Sequence, residues 1–239
     1  NLENTIKWFI DEFRDKEVGL VIKANFANNS IMDSEKTRRT LKNLIDDSKD
    51  YRKCKVYLLH GDLTDGQMTS LYRNPKIKAL INLAHGEGFG LPMFEAVQNE
   101  LPVIAPDWSG HLDFLYAPTT IKQKGKTKVK NRAHFAKVDY NRQPIQETAV
   151  WHPVLIKDSM WCYPNKVSYG KALKDVLHNH GKYKKLAKQL KKHVAIEFSP
   201  EKLHREFAEV CYGQKLELEE ADYVFVSDFF IDQSTGGAE

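Results

Sequence analysis

Two glutamates separated by seven residues frame a glycine-rich run, His85-Gly86-Glu87-Gly88-Phe89-Gly90-Leu91-Pro92-Met93-Phe94-Glu95. Gly86, Gly88 and Gly90 alternate with His85, Glu87 and Phe89. Glycine has no Cβ, so such a backbone can turn sharply and lie close to a ligand. Pro92 fits the first position of a helix, where its missing N–H costs nothing. A helix beginning directly behind the glycines presents unpaired N–H groups and a partial positive charge, which suits a phosphate or an array of sugar hydroxyls. Glu87 stands before that seat and Glu95 about one turn beyond its start. The residues therefore describe a pocket for an anion and a polyol at a helix N-terminus.

Such a pocket needs a strand to deliver the turn and a sheet to hold it. Lys78–Ala84 is the apolar run that predicts the delivering strand, and Leu101-Pro102-Val103-Ile104-Ala105 predicts the strand after the helix. Upstream, Leu2, Ile6, Phe9, Ile10 and Phe13 recur at helical spacing, and Val18–Ala24 reads as a buried parallel strand. A polar loop over 25–34, a helix over Glu35–Ser48 and a strand over Lys55–His60 follow. After the turn Gly61-Asp62-Leu63, Thr64 and Gln67 form a capping box that predicts a helix over Asp65–Tyr72. Strand and helix alternate, the pattern of an α/β protein with a parallel sheet covered on both faces. Ligands of such sheets bind outside the carboxyl ends of the strands. That rule brings four loops together: 23–26, 60–64, 85–91 and Pro106–His111.

From Tyr116 to about Pro164 the alternation stops, and the stretch reads as an insertion with one or two strands or a hairpin. Helices are predicted over Asn165–Asn179, Lys182–Phe198 and Glu201–Cys211, the last with Ser199 as its N-cap. A strand over Tyr223–Ile231 and a frayed end complete a C-terminal extension over 213–239. The whole chain reads as one domain, with its core in 1–115 and 165–212.

Composition excludes some classes. Of the 239 residues, 41% are hydrophobic and 28% charged, as in ordinary globular proteins. There is no apolar run of transmembrane length, and Asn1-Leu2-Glu3-Asn4 has no signal-peptide character, so neither segment is expected. Cys54, Cys162 and Cys211 lack metal-ligand spacing and read as reduced thiols, which points to a cytoplasmic setting. The net charge of +4 does not by itself call for a polyanion.

Glu87, seven residues and Glu95, wrapped around Gly-Phe-Gly-Leu-Pro and followed by Leu-Pro-Val-Ile-Ala, resemble the donor-sugar signature of retaining glycosyltransferases of family 4, which have the GT-B fold. The similarity runs from Leu83 to Leu115, and Pro106–Leu115 resembles the segment that follows the signature. The resemblance implies the C-terminal, donor-binding half of a GT-B enzyme: a Rossmann-like parallel sheet with helices on both faces, here with an insertion and C-terminal helices. In that family a strand and an Arg–Lys loop precede the helix that begins here at Leu2. Their absence implies a fragment or a subunit, with an N-terminal acceptor domain expected in the same or another chain.

Residue by residue, the resemblance implies that Glu87 holds hydroxyls of the transferred sugar near the reacting carbon. It implies that the backbone at Gly88, Phe89, Gly90 and Leu91 meets sugar hydroxyls and phosphate oxygens, and that Glu95 accepts from the ribose hydroxyls. Gly61, Asp62 and Leu63 fall where the family packs the nucleobase, and Lys23 lies where a basic group approaches the diphosphate. The implied reaction is hexosyl transfer with retention from a UDP- or GDP-type sugar to an unknown glycan, lipid or protein acceptor. No cofactor and no metal are expected, because in this fold cationic groups and a helix N-terminus stabilise the leaving diphosphate. The same fold also serves nucleotide-sugar epimerases, glycogen-synthase-like enzymes and binding modules without chemistry.

Other residues have plainer expectations. His85 reads as a strand-end histidine bonded to a neighbouring loop, His111 as a ligand of either a phosphate or a carbonyl, and Trp108 and Phe89 as packing or sugar-stacking residues. Asp46-Asp47 reads as a solvated pair. The basic tract Lys122–Arg132 and the lysines of helix 182–198 read as solvated faces. Nucleic acid is not an expected partner, since the tract lacks interleaved aromatics, and peripheral contact with anionic lipid is the alternative for the lysine helix.

Overall fold

Helix α1, Leu2–Phe13, forms because its apolar residues fall on one face, and that face is buried through Ile6, Phe9, Ile10 and Phe13. The computed structural model describes residues 1–27, 29–46, 51–123 and 126–212. These belong to two compact units, Asn1–Glu197 and Phe198–Glu239. The strand expected over Tyr223–Ile231, the rest of the 213–239 extension, and Asp47, Ser48 and Lys124 lie outside the described residues.

In the first unit, β1 (Gly19–Lys23) pairs in parallel with β2 (Lys55–Leu59), with Leu20 opposite Val56 and Ile22 opposite Leu58. Helix α2, Ile31–Asp46, connects them. It begins four residues before the expected Glu35, because Ser30 caps it: the Asp33 N–H donates to Ser30 Oγ at 3.1 Å and the Ser34 N–H to the Ser30 carbonyl at 3.0 Å. Helix α3, Asp65–Arg73, starts at the expected capping box. The Gln67 N–H donates to Thr64 Oγ1 at 3.3 Å and the Thr64 N–H to Gln67 Oε1 at 2.9 Å.

The next strands are β3 (Leu80–Ile81) and β4 (Val103–Pro106), joined by α4 (Leu91–Gln98). A short helix α5 (Leu112–Leu115) leads to the antiparallel hairpin of β5 (Tyr116–Gln123) and β6 (Lys126–Ala133). Strand β7 (Ala136–Val138) then pairs in parallel with β4, and a second hairpin joins β8 (Tyr140–Pro144) to β9 (Met160–Pro164). The stretch read as an insertion thus holds two hairpins and, between them, a strand of the parallel sheet. Helices α6 (Lys166–His178) and α7 (His180–Glu197) close the unit, α6 capped by Asn165 Oδ1 accepting from the Ser168 N–H at 3.0 Å.

Parallel pairing with intervening helices makes this an α/β unit. Its parallel strands lie in two pieces, β1–β2 and β3–β4–β7, rather than in one continuous sheet. Strand β4 is buried at every residue because it has a neighbour on each side. Strand β3 is much shorter than the expected Lys78–Ala84, since β4 is its sole partner among the described residues. A single core nonetheless spans both pieces: Leu20 and Ile22 of β1 and Ile104, Ala136 and Val138 of the other piece pack with α1 and with Tyr169, Leu173 and Val176 of α6. Each buried Val, Leu or Ile side chain among them contributes roughly 1.5–3 kcal/mol. Of the second unit, α8 (Pro200–Tyr212) is described, with the Lys202 N–H donating to Ser199 Oγ at 3.3 Å, the expected cap.

Candidate functional site

The glycine turn is built between two strand ends. Beyond β3, Asn82 donates from Nδ2 to Glu87 Oε1 at 2.7 Å and accepts the Ala84 N–H at 2.7 Å. One side chain thereby shapes the turn and aims the carboxylate. Beyond β4, Ser109 accepts the Glu87 N–H at 2.8 Å and donates its hydroxyl to the Glu87 carbonyl at 2.7 Å. The Gly110 N–H donates to the same carbonyl at 3.1 Å. Glu87 is thus held at its backbone from one loop and at its side chain from another. Ser109 has φ of +90°, a left-handed conformation that costs a serine on the order of 1–3 kcal/mol. It makes both bonds to Glu87 in that conformation.

Glycine is required at two positions here. A Cβ on Gly110 would lie 1.9 Å from the Gly88 carbonyl oxygen, so the two loops touch backbone to backbone. Gly90 caps α4 with φ of +91°, and a Cβ there would meet Met93 Cε at 2.7 Å. Pro92 is the second residue of α4 rather than the first, and the Met93 and Phe94 N–H groups both donate to the Gly90 carbonyl, at 2.9 and 3.1 Å. The N–H groups of Gly90 and Leu91 have no backbone acceptor among the described residues. They are the orphan donors of the helix start. Gly88 is exposed and has open space where a Cβ would stand, and Leu91 is exposed as well.

The neighbouring aromatic residues support the turn. The Phe89 ring packs against Phe94 and Phe114, with centroids 5.1 and 5.0 Å apart, so the side chain is structural and only its backbone lies at the turn. His85 donates from Nδ1 to the Cys162 carbonyl at 2.7 Å and stacks on Trp161 at 4.9 Å; the Cys162 N–H returns a bond to the His85 carbonyl at 3.2 Å. The β8–β9 hairpin therefore clasps the start of the turn, and His85 has the loop-bonding role expected of it. Trp108 packs between Tyr140 and the Arg142 guanidinium. Buried His111 donates from Nε2 to the Pro106 carbonyl at 2.8 Å, the carbonyl role of the two weighed for it. Burial lowers its pKa, so the ring is neutral, and its Nδ1 has no partner among the described residues.

Glu95 lies further along α4, exposed, and its Oε2 accepts the Tyr72 hydroxyl of α3 at 3.0 Å. Burial, reinforced by that carboxylate, pushes the Tyr72 hydroxyl pKa well up, so it remains a donor. The loops after β1 and β2 form a second pair. Asp33 accepts the Phe26 and Ala27 N–H groups, both at 3.0 Å, and bonds His60 Nε2 at 2.8 Å. The His60 bond and the two N–H groups hold the Asp33 carboxyl below the usual carboxylate value, against the opposing effect of burial. Gly61 has φ of +104°, and the Asp62 N–H donates to Asn29 Oδ1 at 2.6 Å. Leu63 is half-buried, and Lys23 ends β1, exposed, opposite Leu59.

Of the loops expected at 23–26, 60–64, 85–91 and 106–111, the first two are tied through Asp33, which holds Phe26, Ala27 and His60, and the last two through Glu87, Ser109 and Gly110, one pair at the carboxyl ends of each parallel piece. Sequence reasoning missed Asn82, Tyr72, Asn29 and Asp33. Asn82 had a signal, a polar residue interrupting the apolar run Leu80–Leu83. Tyr72 had none, because its role arises from the approach of α3 to α4. Among the described residues no three His, Cys, Asp or Glu side chains converge as a metal site. No helix among them is long and apolar enough to cross a membrane. No family model matches this chain, and no curated protein or solved structure matches it.

Proposed function

We propose that the turn Gly86–Leu91 and the start of α4 bind a nucleotide-diphosphate sugar, and that the chain serves as the donor-binding, Rossmann-like half of a GT-B-type retaining hexosyltransferase. The observation that carries this reading is the double anchoring of Glu87. Asn82 engages one carboxylate oxygen and Ser109 the backbone, so an acidic acceptor is fixed in the turn that leads into the helix start, where the Gly90 and Leu91 N–H groups have no backbone acceptor among the described residues. A carboxylate beside amide donors is complementary to a polyol next to a phosphate: hydroxyls donate to Glu87 while phosphate oxygens accept from the helix start. In this reading Glu95 accepts from the ribose hydroxyls, the backbone at Gly61, Asp62 and Leu63 meets the base, and Lys23 approaches the diphosphate. Preorganised donors around the leaving diphosphate supply the electrostatic stabilisation that transfer needs.

Titration calorimetry of the purified chain with UDP-, GDP- and ADP-sugars tests the proposal. One of these should bind. Glu95→Ala should weaken the free nucleoside diphosphate and the nucleotide sugar alike, by roughly tenfold for a lost charged hydrogen bond. Glu87→Ala should weaken the nucleotide sugar while leaving the nucleoside diphosphate unchanged. If no nucleotide sugar binds, or if neither substitution changes the affinity of one that does, the donor-site reading is wrong.

A further inference from the structure

The two basic tracts that read from sequence as separate solvated faces adjoin in the structure. Residues 117–138 carry seven Lys or Arg and no Asp or Glu, and residues 180–196 carry six Lys and again no acid. The first tract folds as the β5–β6 hairpin with β7, the second as α7, and α7 packs against β5. Together they hold 13 of the 36 Lys and Arg of the chain and none of its 32 Asp and Glu, a segregation that the net charge of +4 conceals.

The register of the hairpin decides which way its cations face. Successive residues of a strand point to opposite faces, so Lys128, Lys130 and Arg132 share one face of β6, about 6.7 Å apart. Ile121, Thr119 and Ala117 stand opposite them on β5. That face is turned toward the body of the unit: Ala117 is buried and Thr119 and Ile121 are half-buried, whereas Pro118 and Thr120 of the other face are exposed. The three cations themselves remain exposed. On α7, Lys185 and Lys192 lie two turns apart on one exposed stripe. Lys182, Lys184, Lys188 and Lys191 lie instead near Asp175 or Glu100. No hydrogen bond or ion pair among the described residues engages the side chains of Lys128, Lys130, Arg132, Lys185 or Lys192. Five solvated cations thus project from two adjoining elements with no acid engaging them.

Three kinds of polyanion suit a basic surface, and the composition of this one chooses between them. Single strands are held largely by bases stacked on aromatic side chains, and Phe135 and Tyr183, the aromatic residues of the two tracts, are both buried. A membrane asks for apolar and aromatic anchors as well as charge. Here the apolar face of α7, through Tyr183, Ala187, Leu190 and Val194, is buried in the protein, and the exposed apolar residues of the two tracts, Val129 and Ile196, are single residues on separate elements. A duplex needs no such anchors, because phosphate contacts supply essentially all of its sequence-independent affinity. Its major groove also admits a two-stranded ribbon.

We propose that the β5–β6 hairpin and α7 bind the phosphate backbone of double-stranded nucleic acid without reading its sequence. The inference does not depend on the donor-site reading, since none of these residues belongs to the glycine turn or to the loop tied to it.

Fluorescence anisotropy of the purified chain tests this with a short mixed-sequence DNA duplex, the RNA duplex of the same sequence and the DNA single strand, each at several salt concentrations. A duplex should bind more tightly than the single strand, and comparison of the two duplexes tells whether a DNA or an RNA backbone supplies the phosphates. With five phosphate contacts, the logarithm of the affinity should fall against that of the salt concentration with a slope of about −4.5, a loss of several hundredfold between about 50 and about 200 mM. Replacing the hairpin cations together, Lys128→Gln, Lys130→Gln and Arg132→Gln, should reduce the slope to about −1.8 while leaving the melting temperature unchanged, since all three are exposed. Lys16→Gln, Lys42→Gln and Lys76→Gln, at exposed lysines outside the two tracts, make the same change in net charge and should leave affinity and slope as they are. The proposal is overturned if neither duplex binds, if the single strand binds as tightly, if the hairpin variant keeps the full slope, or if the two triple variants weaken binding equally. Binding to vesicles of phosphatidylcholine and phosphatidylserine with none to either duplex overturns it too and makes the surface a membrane contact.

Discussion

Substituting Gly110 by alanine should move the glycine turn, and the structure sets the scale. The added Cβ would stand 1.9 Å from the Gly88 oxygen, 2.8 Å from the Gly88 carbonyl carbon and 3.0 Å from the Glu87 oxygen. All three are backbone atoms, so no side-chain rotation relieves the overlap. An ordinary contact needs the Gly88 carbonyl to retreat by about 1.5 Å, which breaks the packing of two loops against each other. Overpacking of this kind costs about 1–3 kcal/mol, or a fall of about 2–12 °C in melting temperature for a chain of this size. Because the Ser109 and Gly110 bonds to Glu87 depend on the same approach, the proposed donor site predicts weaker binding of a nucleotide sugar in this variant as well. Gly88→Ala is the control, since nothing lies within 4 Å of its would-be Cβ. It should leave the melting temperature unchanged, and on the proposed donor site it should still reduce nucleotide-sugar affinity, because that site puts the sugar in this space. Thermal denaturation with amide exchange across residues 86–90 measures the first effect, and calorimetry the second. An unchanged melting temperature and unchanged exchange in Gly110→Ala would refute the close approach on which the site is built.

Three other outcomes follow from the same geometry. Ser109→Ala loses both bonds to Glu87 yet keeps a left-handed backbone, whereas Ser109→Gly loses the bonds and relieves the strain; by denaturant unfolding, alanine should be the more destabilising by about 1 kcal/mol. The Asp33 carboxyl has a lower pKa folded than unfolded, so its contribution is complete above the ordinary value of 3.8 and is lost as pH falls through the folded value. Protection of the Phe26 and Ala27 amides should fall over that acid range, and Asp33→Asn should abolish the dependence. Ile104→Ala, at a core site 1% exposed between two strands, should cost about 2–5 kcal/mol in unfolding free energy.

Local elements were legible where the signal was local. The apolar stripe of α1, the Thr64–Gln67 capping box, the Ser199 cap and the alternation of strands with helices were all visible in neighbouring residues. So was the glycine turn before α4, because a helix start following alternate glycines restricts the backbone on its own. What was not legible depends on residues far apart in the chain. β7 is only three residues long, and its place beside β4 comes from tertiary packing, not from any pattern in 116–164. The start of α2 was misplaced because Ile31 and Met32 look like loop until Ser30 and Asp33 are seen to cap and tether the segment.

For the site, sequence alone determined which groups are present: two carboxylates, three glycines and a helix start, whose chemistry follows from residue type and spacing. Tertiary structure decided what each one does. Phe89 became packing because Phe94 and Phe114 surround it, and His111 a neutral structural donor because burial disfavours its charge. Glu87 became an aimed acceptor because Asn82 and Ser109 reach it from the ends of two adjacent parallel strands. Tertiary structure alone also divided the parallel strands into β1–β2 and β3–β4–β7, since a strand's partners are a matter of sheet order, which no local sequence pattern records.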